Sequence, residues 1–393
     1  MRKPELLAPA GDFAMINAAI NAGADAVYFG VKELNMRITA TNFSLKELKK
    51  VIGLCHKKNI KAYLALNTII YENELSKIKK IIKKAKESSI DAIIAWDHSV
   101  IKEAVKQKLP VHLSTQASVS NSEAALFYKK LGVKRIILAR ECSIEDIKKI
   151  KDKTKIETEV FIHGAMCVSV SGRCFSSQFL FGKSANRGDC LQPCRRSYIA
   201  KDIEEGYELE LKNNYVMSAK DLCTLPFIEK LIEAGIGAFK IEGRNRSPEY
   251  VKIVTEVYRE AIDSYPKINK EKLLKKLRTV YNRGFSSGFY LGKPINEFTN
   301  SHGSRATKKK RYAGYVRNFY KKISVAEIRI EAGSLKTGDN ILIIGPTTGV
   351  QEHKITSIQI NHKEVKGVRK GKSAGIKLNC LARENDKVYA WIS

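Results

Sequence analysis

Short apolar runs alternate with amphipathic stretches over the first two-thirds of the chain. The runs are ELLAPA (5–10), AVYFG (26–30), KAYLALN (61–67), AIIAWD (92–97), VHLSTQ (111–116), RIILARE (135–141), EVFIHGA (159–165) and AFKIEG (238–243). Each reads as a strand, and the stretches between them read as helices. Ser44 begins SLKELKKVIGLC and Asn73 opens NELSKIKKIIKKAKE, while Ser143 lies three residues ahead of Asp146, close to a capping box. Turns such as AGAD, SSID and LGVK put a small residue where the preceding helix stops. Eight strands with helical crossovers predict an α/β fold, a parallel (β/α)8 barrel of the TIM type. A doubly wound open sheet is the alternative, since alternation alone does not show closure.

The alternation is interrupted once, because residues 166–237 separate Ala165 from Ala238. Such an insertion is expected at the C-terminal face of the barrel, where these folds keep their active sites. After Gly243 the pattern turns helical again in SPEYVKIVTEVYREAIDSY and EKLLKKLRTVY. From Ser301 to Ala326 there are eight basic residues and no acidic ones. Residues 1–300 are thus expected to form the barrel and 301–311 a basic linker. Residues 312–393, with their short strands and turn signals, should form a small all-β barrel.

Charge adds a partner class. The chain carries 70 Lys plus Arg against 41 Asp plus Glu, a net of +29, which favours a polyanion through counterion release. Lysines on solvated helix faces account for part of this excess. No apolar run approaches the roughly 18 residues of a spanning helix, and the start lacks the pattern of a signal peptide. A cytoplasmic protein with no membrane partner is expected.

Cysteines add chemistry. Disulfides are disfavoured in a reducing compartment, yet four of the eight cysteines fall between Cys167 and Cys194. Six residues separate Cys167 from Cys174, fifteen more precede Cys190, and three separate Cys190 from Cys194. Four thiolates suit an iron–sulfur cluster. Zinc accepts them too, but it usually takes closer pairs at both ends. Cys223, in the same insertion, could replace Cys194 as fourth ligand, whereas Cys55, Cys142 and Cys380 read as core.

A second constellation lies at the strand ends: Asn67, Asp97, Gln116, Arg140, Glu141, His163, Glu242 and Arg244. A parallel barrel would gather them at one mouth. His163, Glu242 and Arg244 are the candidate catalytic residues. Asn67, Gln116, Arg140 and Glu141 are the candidate substrate contacts. His163 could act as a ligand, as a hydrogen-bond donor to one, or as a proton carrier. Arg244 and Arg246 could grip a carboxylate or a phosphate. GFSSG (284–288) matches the serine-nucleophile pattern but lies in a glycine-rich loop, and no H-E-x-x-H zinc motif occurs.

Read together, HGAMCVSVSGRC, NRGDCLQPCR, SAKDLC, FKIEGR, the opening ELLAPAGD and NRGFSSGF resemble the collagenase-like peptidases (peptidase class U, family 32) from about Pro4 to Tyr290. LKTGDNILIIGPTTG and its surroundings resemble the second-domain β-barrel of translation elongation GTPases. The first resemblance implies oxygen-independent hydroxylation, with members acting on tRNA wobble uridine, on a cytidine of large-subunit rRNA or on the ubiquinone precursor ring. It implies a [4Fe–4S] cluster on Cys167, Cys174, Cys190 and either Cys194 or Cys223, and prephenate as the oxygen-donating co-substrate. The net charge favours the RNA branch. The expected function is a tRNA hydroxylase forming 5-hydroxyuridine at the wobble position, with an unidentified electron donor and with basic residues of 305–322 positioning the RNA backbone. A peptidase is the alternative, and an rRNA-modifying enzyme or an RNA-binding scaffold with structural zinc is the second.

Overall fold

The computed structural model describes residues 3–211, 217–300 and 303–393. Eight strands carry the larger domain: β1 (Glu5–Pro9), β2 (Ala26–Gly30), β3 (Lys61–Ala65), β4 (Ala92–Ala95), β5 (Val111–Leu113), β6 (Arg135–Ile137), β7 (Glu157–Gly164) and β8 (Ala238–Ile241). They pair in parallel in chain order, and β8 pairs with β7 on one side and β1 on the other. The sheet therefore closes into a TIM-like barrel, which excludes the open-sheet alternative. The strands stop earlier than their apolar runs suggest. Asn67, Gln116, Arg140 and Glu242 lie just past the strand ends, in the loops that make the mouth.

Helix starts follow local side-chain chemistry. Asp12 caps the helix Phe13–Asn21 by accepting the Met15 amide at 2.8 Å. Ser143 and Asp146 close the expected capping box on the helix Ile144–Thr154. Asn73 does not open its helix. It sits in a short 3-10 turn, Glu72–Glu74, where the Glu74 carboxylate accepts the Tyr71 amide at 2.9 Å, and the α-helix begins at Leu75. No helix among the described residues is long and apolar enough to cross a membrane.

Such barrels usually fill their interior with branched aliphatics, but here ions occupy the lower part. Arg135, 3% exposed, meets Glu5 at 2.7 Å, Glu157 at 3.0 Å and Glu159 at 3.2 Å. Glu159, fully buried, also meets Lys240 at 2.9 Å. With Lys61 meeting Glu5 at 2.8 Å, three carboxylates face three cations, as buried charges must be if desolvation is not to unfold the barrel.

The strand Lys309–Tyr320 begins inside the expected linker and pairs with both Lys387–Ile392 and Val325–Ile330. Just before it, the Arg305 amide bonds the Asn282 carbonyl and the Thr307 amide bonds that of Arg278, so this stretch is bound to the barrel. The all-β region is one eight-stranded antiparallel sheet plus a two-stranded ribbon, with apolar residues of its long strands meeting in a single core. It docks on the outer helices of the larger domain. Gly349 packs on Asn17 and Ala18, and Asn17 donates to the Pro346 carbonyl at 2.7 Å. Lys310 meets Glu249 at 3.0 Å and Lys308 faces Glu352 at 3.5 Å. Two of the basic residues expected to face RNA are thus engaged in internal ion pairs.

Glu5 gives the barrel floor a pH signature. Burial works against its charge, but hydrogen bonds and charge from Arg135 and Lys61 hold its pKa down at about 2, against 4.5 for the free group. The folded form holds the lower pKa, so the stabilisation is complete above about pH 4.5 and is lost as pH falls toward 2. Glu5→Gln should cost about 1–3 kcal/mol near neutral pH, since Arg135 loses one charged partner and keeps Glu157 and Glu159. Urea unfolding across that pH range should show a shallower acid loss in the variant. Parallel profiles for the two proteins would contradict the assignment.

Candidate active site

The insertion begins where β7 ends. Gly164 holds a left-handed φ of 109°, and a Cβ there would sit 2.7 Å from the Glu242 carbonyl oxygen, so this crossing of β7 and the β8 loop needs glycine. The chain then forms the loop that carries the cysteines. Three consecutive residues of NRGDC anchor it. The Asn186 side-chain Oδ1 accepts the Cys174 amide at 3.0 Å, and Arg187 pairs with Glu74. Gly188 (φ 87°) packs where a Cβ would meet the Asn35 carbonyl at 2.2 Å. Arg195 donates to the Met166 carbonyl at 2.9 Å, and Glu141 accepts the Ser171 amide at 3.1 Å. Glu141 therefore holds the cysteine loop and does not line the cavity.

Over the barrel mouth the loop encloses a cavity of about 480 Å³, and Cys167, Cys174, Cys190 and Cys194 all lie on its wall. Burial, together with the neighbouring Cys167 and Cys190, raises the pKa of Cys194, partly offset by Arg195. Burial would also raise Cys174, but hydrogen bonds from Ser169 and Ser176 bring it below the ordinary thiol value. Among the described residues, no three His, Cys, Asp or Glu side chains stand close enough to share a metal ion. The four thiols surround the cavity and do not form a closed cage. The donor set and the space suit a thiolate-bound cluster.

Cys223 lies elsewhere. It is buried on the short strand Asp221–Cys223, which runs antiparallel to the end of β7, and the Tyr258 hydroxyl contacts its sulfur at 3.7 Å. Burial pushes its thiol up to about 11.

His163 is also outside the mouth. The β7–β8 register slips by one residue between Lys240 and Ile241, so that Ile241 pairs with His163. Such a bulge inverts the in–out alternation beyond it. Glu159 and Phe161 point inward, while His163 packs against Tyr250, Tyr258 and Phe285. Burial pushes its pKa down to about 3, so it is neutral. The candidate catalytic role of His163 thus meets a geometry that keeps it off the cavity wall. Asp97 caps the helix His98–Lys106. Ser286 of GFSSG accepts the Gly288 amide in a buried turn.

Beneath the large cavity a second pocket of about 60 Å³ descends along the barrel axis, lined in part by Asn67, Gln116, Arg140, Lys240, Glu242 and Arg244. Around the two spaces stand Arg37, Arg140, Arg195, Lys240, Arg244 and Arg246, with Glu242 as the one carboxylate of the described wall. Arg37 bonds Glu242 through both Nε and Nη2, at 3.2 and 3.0 Å. Burial opposes the Glu242 charge, but Arg37, Arg246 and Arg140 hold its pKa below the usual carboxylate value. Arg244 is 3% exposed, and its buried Nη1 has no hydrogen-bond partner among the described residues. Burial pulls its pKa down to about 10, which leaves it cationic. Asn67 bonds Ser114 at 3.3 Å and Gln116 at 3.4 Å, forming a polar ledge beside these cations.

Sequence reasoning missed Arg37, Lys240 and Arg195. Lys240 was signalled by a charge inside an otherwise apolar run, AFKIEG. Arg195 lies in the cysteine motif itself. Arg37, in the loop after β2, has no local pattern that marks it.

Residues 11–300 match peptidase family U32, and residues 324–388 match elongation factor Tu domain 2. An uncharacterized protease of Methanocaldococcus jannaschii is 47% identical over 98% of this chain and 97% of its own. A collagenase of Porphyromonas gingivalis is 41% identical over the same shares. The tRNA hydroxylation protein P1 of Bacillus subtilis is 34% identical over 91% of this chain and 87% of its own. With the family matched across the whole barrel and relatives aligned almost end to end, the chain belongs to peptidase family U32.

Proposed function

We propose that the protein is an RNA hydroxylase that binds a [4Fe–4S] cluster through Cys167, Cys174, Cys190 and Cys194. Its expected product is 5-hydroxyuridine at the tRNA wobble position, with prephenate as the oxygen-donating acid and a separate, unidentified electron donor. The observation that carries this reading is a cavity with four thiols on its wall, where Arg37, Arg140, Arg195 and Arg246 stand around the single carboxylate of Glu242. The B. subtilis relative, named for tRNA hydroxylation, supports the substrate class. Against hydrolysis, the bulge packs His163 among Tyr250, Tyr258 and Phe285, away from the cavity wall on which Glu242 lies.

Each wall residue has a task in this reading. An unpaired base enters the large cavity, since a stacked base edge is out of reach. Arg244 and Arg140 receive the carboxylate of the small acid below it, in the pocket that both line. Glu242, held anionic, orients Arg37 and accepts hydrogen bonds; its lowered pKa disfavours proton donation. Asn67 and Gln116 present amides at the pocket's edge. When bound, such a cluster supplies one-electron transfer or activation of an oxygen substituent. Cys223, buried on its strand and off the cavity wall, is left out of the ligand set.

Two experiments test this. Protein purified without oxygen should be brown and hold about four irons per chain. Cys167→Ala, Cys174→Ala, Cys190→Ala and Cys194→Ala should each lose iron and colour, and Cys223→Ala should keep both. A colourless protein with one zinc would overturn the reading, and iron loss in Cys223→Ala with retention in Cys194→Ala would reassign the fourth ligand. Calorimetric titration with prephenate should show Arg244→Met binding about 10- to 100-fold more weakly than wild type, the value of a lost charge-assisted hydrogen bond. Equal affinities would remove Arg244 from the acid site.

A further inference from the structure

The rim of the large cavity carries an aromatic surface that the reading above leaves unused. The short helix Ser176–Phe181 turns Ser176, Ser177 and Leu180 to the cavity wall. Phe175 and Phe179, one helical turn apart, face the other way and are 60% and 84% exposed. Their ring centroids are 5.8 Å apart with planes tilted by 35°, so the rings touch and form one continuous surface. Large apolar side chains left this open, side by side, mark a contact surface.

Charge separates the classes of occupant. The segment Arg173–Tyr198 holds five Lys and Arg residues against the single Asp189. Arg196 lies 4.3 Å from the Phe181 ring and is exposed, and Lys183, which faces Asp189 at 3.5 Å, follows the helix. Phenyl faces set among cations are the composition that holds unpaired nucleic acid, whose bases stack while its phosphates pair with the cations. A duplex offers no free base face to such a platform.

We propose that Phe175 and Phe179 are a stacking platform for the unpaired nucleotide next to the one that enters the cavity. This rests on the RNA reading above and extends it. The platform stands one helix face away from the thiol-lined wall, so a strand crossing the rim places consecutive bases on the rings and in the cavity. It recognises strand state without sequence, because every base has a π face. A target presented in a loop is accepted and the same pyrimidine in a duplex is refused.

The test uses the full-length protein and two fluorescent probes, a short unpaired oligoribonucleotide and a paired RNA of equal length. Phe179→Ala should weaken the unpaired probe about tenfold, and the double variant Phe175→Ala/Phe179→Ala should weaken it further. Phe179→Trp should retain wild-type affinity, and paired RNA should bind all four proteins alike. Unchanged affinity in the double variant would overturn the platform, as would equal weakening of both probes. Concentration-dependent self-association of wild type that Phe179→Ala abolishes, with RNA affinity intact, would assign the surface to protein contact and overturn it too. Failure of wild type to bind either probe would reject the RNA reading itself.

Discussion

A ladder of buried ion pairs along the barrel axis sets the conditions for everything above it. Glu5, Glu157 and Glu159 neutralise Arg135 and Lys240 low in the barrel. At the mouth the pairing runs out, because Glu242 must serve Arg37 while Arg140, Arg244 and Arg246 crowd the same space. A mouth that gathers an excess of partly buried positive charge favours an entering anion. The unpartnered Nη1 of Arg244 is where that deficit is most local. Stability is thus concentrated in the floor, and binding capacity is left at the top.

The one-residue bulge of β7 is the second determinant. It ends the inward series Glu159–Phe161 and sends His163 toward Tyr258. It also sets the point from which the insertion leaves the strand and folds back over the mouth. The cysteine loop is then tied to the barrel by Arg187 on Glu74, by the Ser171 amide on Glu141 and by the packing of Gly188 on Asn35. These ties bring thiols that are 27 positions apart at their extremes onto one wall.

Much of this was legible in the sequence because it depends on local pattern. Eight apolar runs separated by helical periodicity gave eight strands, and the clustered cysteines marked the cavity. What stayed hidden depends on register and on tertiary pairing. Alternation along EVFIHGA puts His163 in line with Phe161, and only the strand pairing reveals the slipped residue. Asn73 has the right type for a helix cap, but the Glu74 carboxylate wins the exposed amide of Tyr71 instead. Lys308 and Lys310 look like free charges until their distant partners Glu352 and Glu249 are placed beside them. Arg37 reaches Glu242 across 205 positions, a separation at which sequence pattern carries no information.

The family name speaks of peptide hydrolysis, whereas the wall of this site offers four thiols, several guanidinium groups and a carboxylate paired with Arg37. Thiols, guanidinium groups and a committed carboxylate suit electron transfer and anion binding better than peptide hydrolysis. The most direct test is the inventory of modified nucleosides in RNA from cells with and without this gene, read by mass spectrometry. The account predicts that a pyrimidine nucleoside carrying one extra oxygen disappears from tRNA on deletion, returns with the wild-type gene and does not return with Cys190→Ser. An unchanged inventory in both tRNA and rRNA would contradict it.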